Sequence, residues 1–290
     1  SRDGRFAAAP RDLAALRATQ EGYGVVATPA QVEHLATRPD GVVIIDLRND
    51  TARTIPLDDV ARKARLSSTP RAVAGGGRAS PGPCRLHVFH VKWNAAATRL
   101  LVVVRARGRC PLPNGAAGDA NHAVTLAPDG TDARVVASWL SKGNHPNWLD
   151  DGRVSMNYRG KLCAFADAEG ASCDALSPKA SGHPVGVPGR PSLILADTYA
   201  KEHAVFGLAP GDAGLRLVDA ARGRERWLGV FPVAPRGTVP TDVWRCDLHP
   251  AFDHSGARVA LNVWKRGSRR VAVATLDWDR LIGEWPPDDT

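Results

Sequence analysis

Short aliphatic and β-branched runs bounded by Gly, Pro, Asp and Asn dominate the chain: GVVIIDL (41–47), TRLLVVVRA (98–106), AVTLAPDGTDARVVASW (123–139), PSLILADTY (191–199), RVALNVW (258–264) and RVAVATLDW (270–278). Runs of this length, closed by turn residues, predict the strands of an all-β protein. One stretch has helical character, PRDLAALRATQ (10–20), where Pro10 suits the first turn of a short N-terminal helix.

The strands recur in a frame. HVKWNAAATRLLVVV from His90, HPNWLDDGRVSMN from His145, HPVGVPGRPSLILADTY from His183 and HPAFDHSGARVALNVW from His249 each open on histidine. Each then passes a polar or glycine-containing turn and enters an apolar strand. Successive starts are 55, 38 and 66 residues apart. A four-stranded propeller blade takes roughly 40 to 50 residues, so the pattern predicts a β-propeller. HLATRPDGVVIIDLRND from His34 reads as a weaker fifth copy. The expectation is a propeller of seven blades, with six as the alternative, some of them short or degenerate, in a single domain over residues 1–290. Residues 68–83, STPRAVAGGGRASPGP, read as a flexible loop. Equivalent positions of successive blades ring a common axis, so the frame predicts that His90, His145, His183 and His249 converge. An HP pair taken singly is also met as a plain turn; the recurrence is the signal.

Composition adds limits. With 28 Gly, 22 Pro and a single Met the chain is rich in turns. No apolar run approaches the roughly 18 residues of a membrane span, so no membrane partner is expected. The net charge of +8 favours anionic partners. The basic residues are scattered and not interleaved with aromatics, so nucleic acid is not expected. The first residues lack the apolar core of a signal peptide, which leads to the expectation of a mature or trimmed chain. Five cysteines leave at least one outside any set of internal disulfides. Cys163 and Cys173 flank AFADAEGAS, a predicted hairpin tip, and can pair in an oxidising compartment. Cys246 is the odd one.

GNHPNWLDDGRVSMN, SGHPVG followed by LILADTY, and RCDLHPAFDHSGARVALN together resemble the repeats of β-propeller polysaccharide lyases, a group that includes oligogalacturonate, ulvan and rhamnose-glucuronate lyases. The resemblance covers residues 87 to about 265. It implies cleavage of a uronic-acid glycan by β-elimination, in a secreted or periplasmic, monomeric enzyme acting on an anionic polysaccharide or oligosaccharide. In that chemistry a cation neutralises the carboxylate, a base removes the C5 proton and an acid protonates the leaving oxygen. Arg245 offers a planar, permanently charged fork for the carboxylate. Tyr199, His145 and His122, which lies 23 residues before His145, are the candidate base and acid. His90, Asn144 and Trp148 are expected to face substrate.

His183 and His249 resemble the pair that carries manganese in oligogalacturonate lyases. Where those enzymes add a glutamine and another histidine, this chain has Cys246 and Ala251. His183, Cys246 and His249 form a softer donor set, which favours Zn over Mn or Ca, with Cys163, Cys173 or water as the fourth ligand. Two further readings belong to other classes: a non-catalytic TolB-like propeller that binds a protein or peptide, and a metal-dependent hydrolase.

Overall fold

In the computed structural model of the chain, the described residues are 1, 3–11, 40–66, 84–111, 117–140, 143–235, 237–238, 246–283 and 285. Their strands form five antiparallel sheets in chain order: β1 to β3, β4 to β7, β8 to β11 (with β9 Arg153–Tyr158, β10 Lys161–Ala166 and β11 Asp174–Ser177), β12 (Val185–Val187) to β15, and β16 (Ala251–Phe252) to β18. Every sheet is a meander in which neighbours in sequence are neighbours in space. The fold is all-β, with five propeller-type blades and three short helices among the described residues. This corrects the expectation of seven or six blades. Each histidine frame opens one blade, and the long intervals are taken up within blades, by a 12-residue strand β5 for example, so no extra sheets fit between them. Pro10, expected to open a helix, closes strand β1 (Phe6–Pro10) instead. Residues 12–20 of the predicted N-terminal helix, His34 and the 68–83 loop lie outside the described residues.

The contacts divide the chain into two compact units, residues 1–154 with 165–173, and residues 155–164 with 174–290. The first holds β2 (Gly41–Asp46), β3 (Thr51–Pro56), β4 (Arg85–Trp93), β5 (Leu100–Pro111), β6 (Ala117–Leu126) and β7 (Arg134–Trp139), as well as β8 (Gly143–Trp148). Its core follows the period of two: Leu100, Val102 and Val104 on β5 and Val124 and Leu126 on β6 point to one side and pack with Val42, Ile44 and Val88. Helix α1 (Leu57–Lys63) covers this core with Leu57 and Val60. Asp58 and Asp59 in its first turn and Arg62 and Lys63 in its last match the helix dipole.

The second unit is built on β13 (Arg190–Asp197), β14 (Asp212–Asp219), β15 (Arg224–Pro232), β17 (Arg258–Lys265) and β18 (Ser268–Thr275). Leu195, Leu215, Val233, Leu248, Val259 and Leu261 form its core. A 3₁₀ helix, Ala200–Phe206, follows β13, and helix α2 (Trp278–Gly283) follows β18. Among the described residues no helix is long and apolar enough to cross a membrane.

Cys84 and Cys110 form a disulfide that clamps the start of β4 to the far end of β5, a pairing the sequence pattern did not single out. Cys163 and Cys173 are both disulfide-bonded, which removes them as candidates for a fourth metal ligand, and Cys246 is a free, buried thiol. The Cys84–Cys110 link closes a loop over a sequence separation of 26 residues. Its replacement by Ser at both positions is expected to lower unfolding free energy by about 3 kcal/mol, as measured by denaturant titration. A loss well under ~1 kcal/mol would show that the strand ladder holds this edge unaided.

Candidate metal centre

Strand β13 ends on Asp197, whose side chain is wholly excluded from solvent. Its carboxylate accepts the backbone N–H of His183, the backbone N–H of His249 at 3.0 Å, and the His183 Nδ1–H at 3.0–3.1 Å. Burial works against the charged form. The His183 ring and the two backbone donors outweigh it, and they hold the carboxyl below its usual range.

The approach to Asp197 requires the glycine of SGHP. Gly182 has φ of 62°, and a Cβ there would stand 2.2 Å from the Asp197 carbonyl oxygen. Asn157 Nδ2 donates to the Gly182 carbonyl at 2.8 Å and fixes the turn from the other side. The frame thus places left-handed backbone at each HP pair of the described chain, but not at the same residue. His145 (φ 51°) and His249 (φ 45°) adopt it themselves, whereas at His183 the preceding glycine does. Left-handed backbone at non-glycine residues is uncommon and is held here by the surrounding hydrogen bonds.

The stretch 246–249 alternates faces. Cys246 and Leu248 point into the apolar core with Leu195, Leu215 and Val259, while Asp247 and His249 belong to the polar cluster. Asn262, on β17, pins this stretch through its backbone N–H to the Leu248 carbonyl (2.8 Å) and its side-chain amide to the Asp247 carbonyl (3.1 Å). One donor atom from each of His183, Asp247 and His249 lies within 4.8 Å of the others. The acidic donor beside the histidines is therefore Asp247, one position beyond the expected Cys246. Burial raises the Cys246 thiol above its ordinary pKa, with Arg269 opposing, which makes it a poorer ligand.

The His183 and His249 rings stack with centroids 3.4 Å apart, and His183 Nε2 is 4.0 Å from the Asp247 carboxylate. With Nδ1 turned to Asp197, the ring nitrogen of His183 on the Asp247 side is Nε2. A carboxylate behind the imidazole is the usual support of a metal-bound histidine. Two imidazoles and one carboxylate suit a divalent transition ion and leave coordination positions open. Tyr199 is buried at the mouth of the 3₁₀ helix, its ring edge-on to His183 at 5.3 Å, with the Lys201 ammonium 5.0 Å from its centre. Arg245 lies outside the described residues.

The remaining expected residues sit in the first unit. His145 is buried, and its ring meets that of His90 edge-on at 5.8 Å. Asn144 accepts the His145 N–H through Oδ1 at 2.9 Å. The Trp148 indole is buried, and its Nε1–H donates to the Lys92 carbonyl at 3.1 Å. His122 Nδ1 is 2.8 Å from Ser138 Oγ, directly across the β6–β7 ladder.

No protein-family model matches the chain, and no curated protein matches it. Among solved structures it is similar to an oligogalacturonate lyase in complex with manganese (12% identity, TM-score 0.46, covering 82% of this chain and 72% of that one). It is also similar to a puromycin-hydrolysing peptidase from Mycobacterium tuberculosis (14% identity, TM-score 0.48, 83% of this chain and 36% of that one). A third is TolB from Acinetobacter baumannii (9% identity, TM-score 0.39, 83% of this chain and 59% of that one). At these values the likenesses assign no activity to the chain.

Burial drives the His122 imidazole down to about 4, so it is neutral at physiological pH. The unfolded chain takes up this proton first, once pH falls below its ordinary value of about 6.5. Stability contributed above that pH is lost between about 6.5 and 4 and falls no further below. His122→Gln is expected to flatten this acid limb by on the order of 2 kcal/mol, read from denaturation midpoints at a series of pH values. An unchanged slope would mean that His122 is as readily charged in the folded protein as in the unfolded chain.

Proposed function

We propose that the protein is a metal-dependent hydrolase in which His183, Asp247 and His249 hold a divalent cation. The observation that carries this reading is the donor set itself. Three protein ligands, two of them neutral imidazoles, satisfy a metal only in part, as in catalytic sites, whereas structural zinc sites are closed by four. An ion bound there would supply Lewis acidity and lower the pKa of a bound water. Asp197 sets the His183 tautomer and orientation. Tyr199, edge-on to His183 and with the Lys201 ammonium over its ring, is the candidate to hold or pass a proton at a substrate oxygen.

With Cys246 turned into the core, the argument for Zn from a soft thiolate falls away. Zn and Mn both suit the two imidazoles and the carboxylate; Ca, which prefers an all-oxygen shell, suits it less. The net charge of +8 supports an anionic substrate, of which uronate oligosaccharides are the first class to try. Two disulfides support an oxidising compartment, and hence a secreted or periplasmic protein. Nothing in the mechanism calls for a second subunit, and we take the active species to be the monomer.

Metal titration followed by elemental analysis tests the site. One equivalent of Zn or Mn is expected. His183→Ala and Asp247→Asn should each weaken binding about a hundredfold, Asp197→Asn should weaken it by about tenfold or more, and Cys246→Ser should leave it unchanged. Turnover of uronate oligosaccharides should release reducing ends that depend on the metal. An unsaturated, ultraviolet-absorbing product would show β-elimination in place of hydrolysis. Metal binding lost in Cys246→Ser but retained in Asp247→Asn would overturn the site.

A further inference from the structure

In the second unit the 3₁₀ helix that follows Tyr199 leads from the metal cluster to an aromatic pair. One face of β14 is committed to apolar packing through Ala213, Leu215 and Leu217, so Gly214 and Arg216 emerge on the other. Trp227 on β15 stands opposite Arg216, and Val230 stands opposite Gly214. The six-membered ring of Trp227 occupies the space above Gly214, where a Cβ would collide with Cζ3, Cε3 and Cη2. The glycine thus seats the indole by its benzo edge, and 44% of the tryptophan remains exposed.

Phe206, the last residue of the helix, meets Trp227 at right angles with ring centres 5.9 Å apart. The guanidinium of Arg216 lies 5.5 Å from the Phe206 ring centre and is itself buried, donating to Glu225 (2.7 Å) and to the Lys179 carbonyl (3.0 Å). The aromatic pair is therefore fixed before any ligand arrives, which lowers the cost of binding one. At the other end of the helix the exposed Lys201 ammonium lies 5.0 Å from the centre of the Tyr199 ring, and that ring lies 5.3 Å from the His183 ring. Between Lys201 and Phe206 the exposed positions of the helix are Ala204 and Val205, both short side chains.

We propose that Trp227 and Phe206 form a sugar-binding subsite, in which the indole takes the apolar face of a pyranose ring belonging to an oligosaccharide whose anionic unit lies at Lys201. The proposal rests on the metal-centre reading for one element only, the position of the bond to be cleaved. A 3₁₀ helix rises about 2.0 Å per residue, so Ala200 and Phe206 are about 12 Å apart. A ligand that touches both ends is extended, which suits a chain of sugars and not a single ring or a mononucleotide. The carbon–hydrogen face of a pyranose is apolar and its rim carries hydroxyls, so it matches an indole that is apolar in body and bordered by water. The exposed apolar side chains at this place are Val205, Trp227 and Val230, too few for a protein partner, which covers about 20 to 30 residues on a side.

Calorimetric titration of the full chain loaded with Zn tests the proposal. The ligands are a uronate monosaccharide, disaccharide and tetrasaccharide, a neutral tetrasaccharide and a nucleoside monophosphate. Affinity is expected to rise with chain length, and the charged tetrasaccharide to bind more tightly than the neutral one. Trp227→Ala should weaken tetrasaccharide binding by about tenfold and leave the monosaccharide unchanged. Should it fail to fold, Trp227→Leu fills the space over Gly214 without a ring and should weaken the tetrasaccharide as well. Lys201→Gln should weaken the charged ligands by about fivefold and narrow their margin over the neutral one. Val271→Ser, at an exposed apolar position on β18, should change nothing. Metal stoichiometry separates the two readings: metal retained in His183→Ala overturns the metal centre, whereas the subsite is read from chain length and Trp227 alone. The subsite is overturned if no oligosaccharide binds at millimolar concentration, if affinity does not grow with length, if Trp227→Ala binds the tetrasaccharide as the parent does, or if the mononucleotide binds as tightly as the tetrasaccharide.

Discussion

The buried carboxylate of Asp197 ties together stretches of chain that are distant in sequence: the end of β13, the turn at Gly182 and His183, and the stretch leading to His249. Excluding an ionised carboxylate from water costs several kcal/mol unless hydrogen bonds replace its hydration. Here two backbone N–H groups and an imidazole do so. The cost becomes a constraint on geometry, because the carboxylate is satisfied only when His183 and His249 both occupy the positions observed. The stacking of the two imidazoles, and their placement against Asp247, follow from that constraint.

The same requirement explains why the local sequence is so specific. Gly182 is needed because a side chain there would collide with the Asp197 backbone. Left-handed backbone at His249 is sustained by its N–H bond to Asp197 and by the hold of Asn262 on the preceding residues. Cys246 and Leu248 anchor the stretch from the apolar side, so that Asp247 and His249 face the polar one. The free thiol thus contributes packing, and the donor comes from its neighbour.

Much of this was legible in the sequence, and the failures have physical causes. The histidine frames mark real blades, since His90, His145, His183 and His249 each stand at or just before the first strand of a sheet. The expected number of blades is too high because it allows for short or degenerate copies beyond the histidine frames, whereas length within a propeller blade varies through strand extension and loops. His183 and His249 were recognisable as a pair. Asp247 was not, because a Cys-x-x-His spacing drew attention to Cys246. Period-two alternation from Leu248, an apolar residue beside a histidine, is the signal that would have found it. Asp197 lies in plain view in LILADTY, but its role depends on two backbone N–H groups that no residue pattern encodes.

The identity of the centre is decided by the atoms that surround a bound metal. X-ray absorption at the metal edge of the Zn-loaded protein reads this directly. It should show a shell of nitrogen and oxygen donors at about 2.0–2.2 Å with outer-shell scattering from two imidazoles. A sulfur scatterer at about 2.3 Å, or a shell without imidazole, would contradict it.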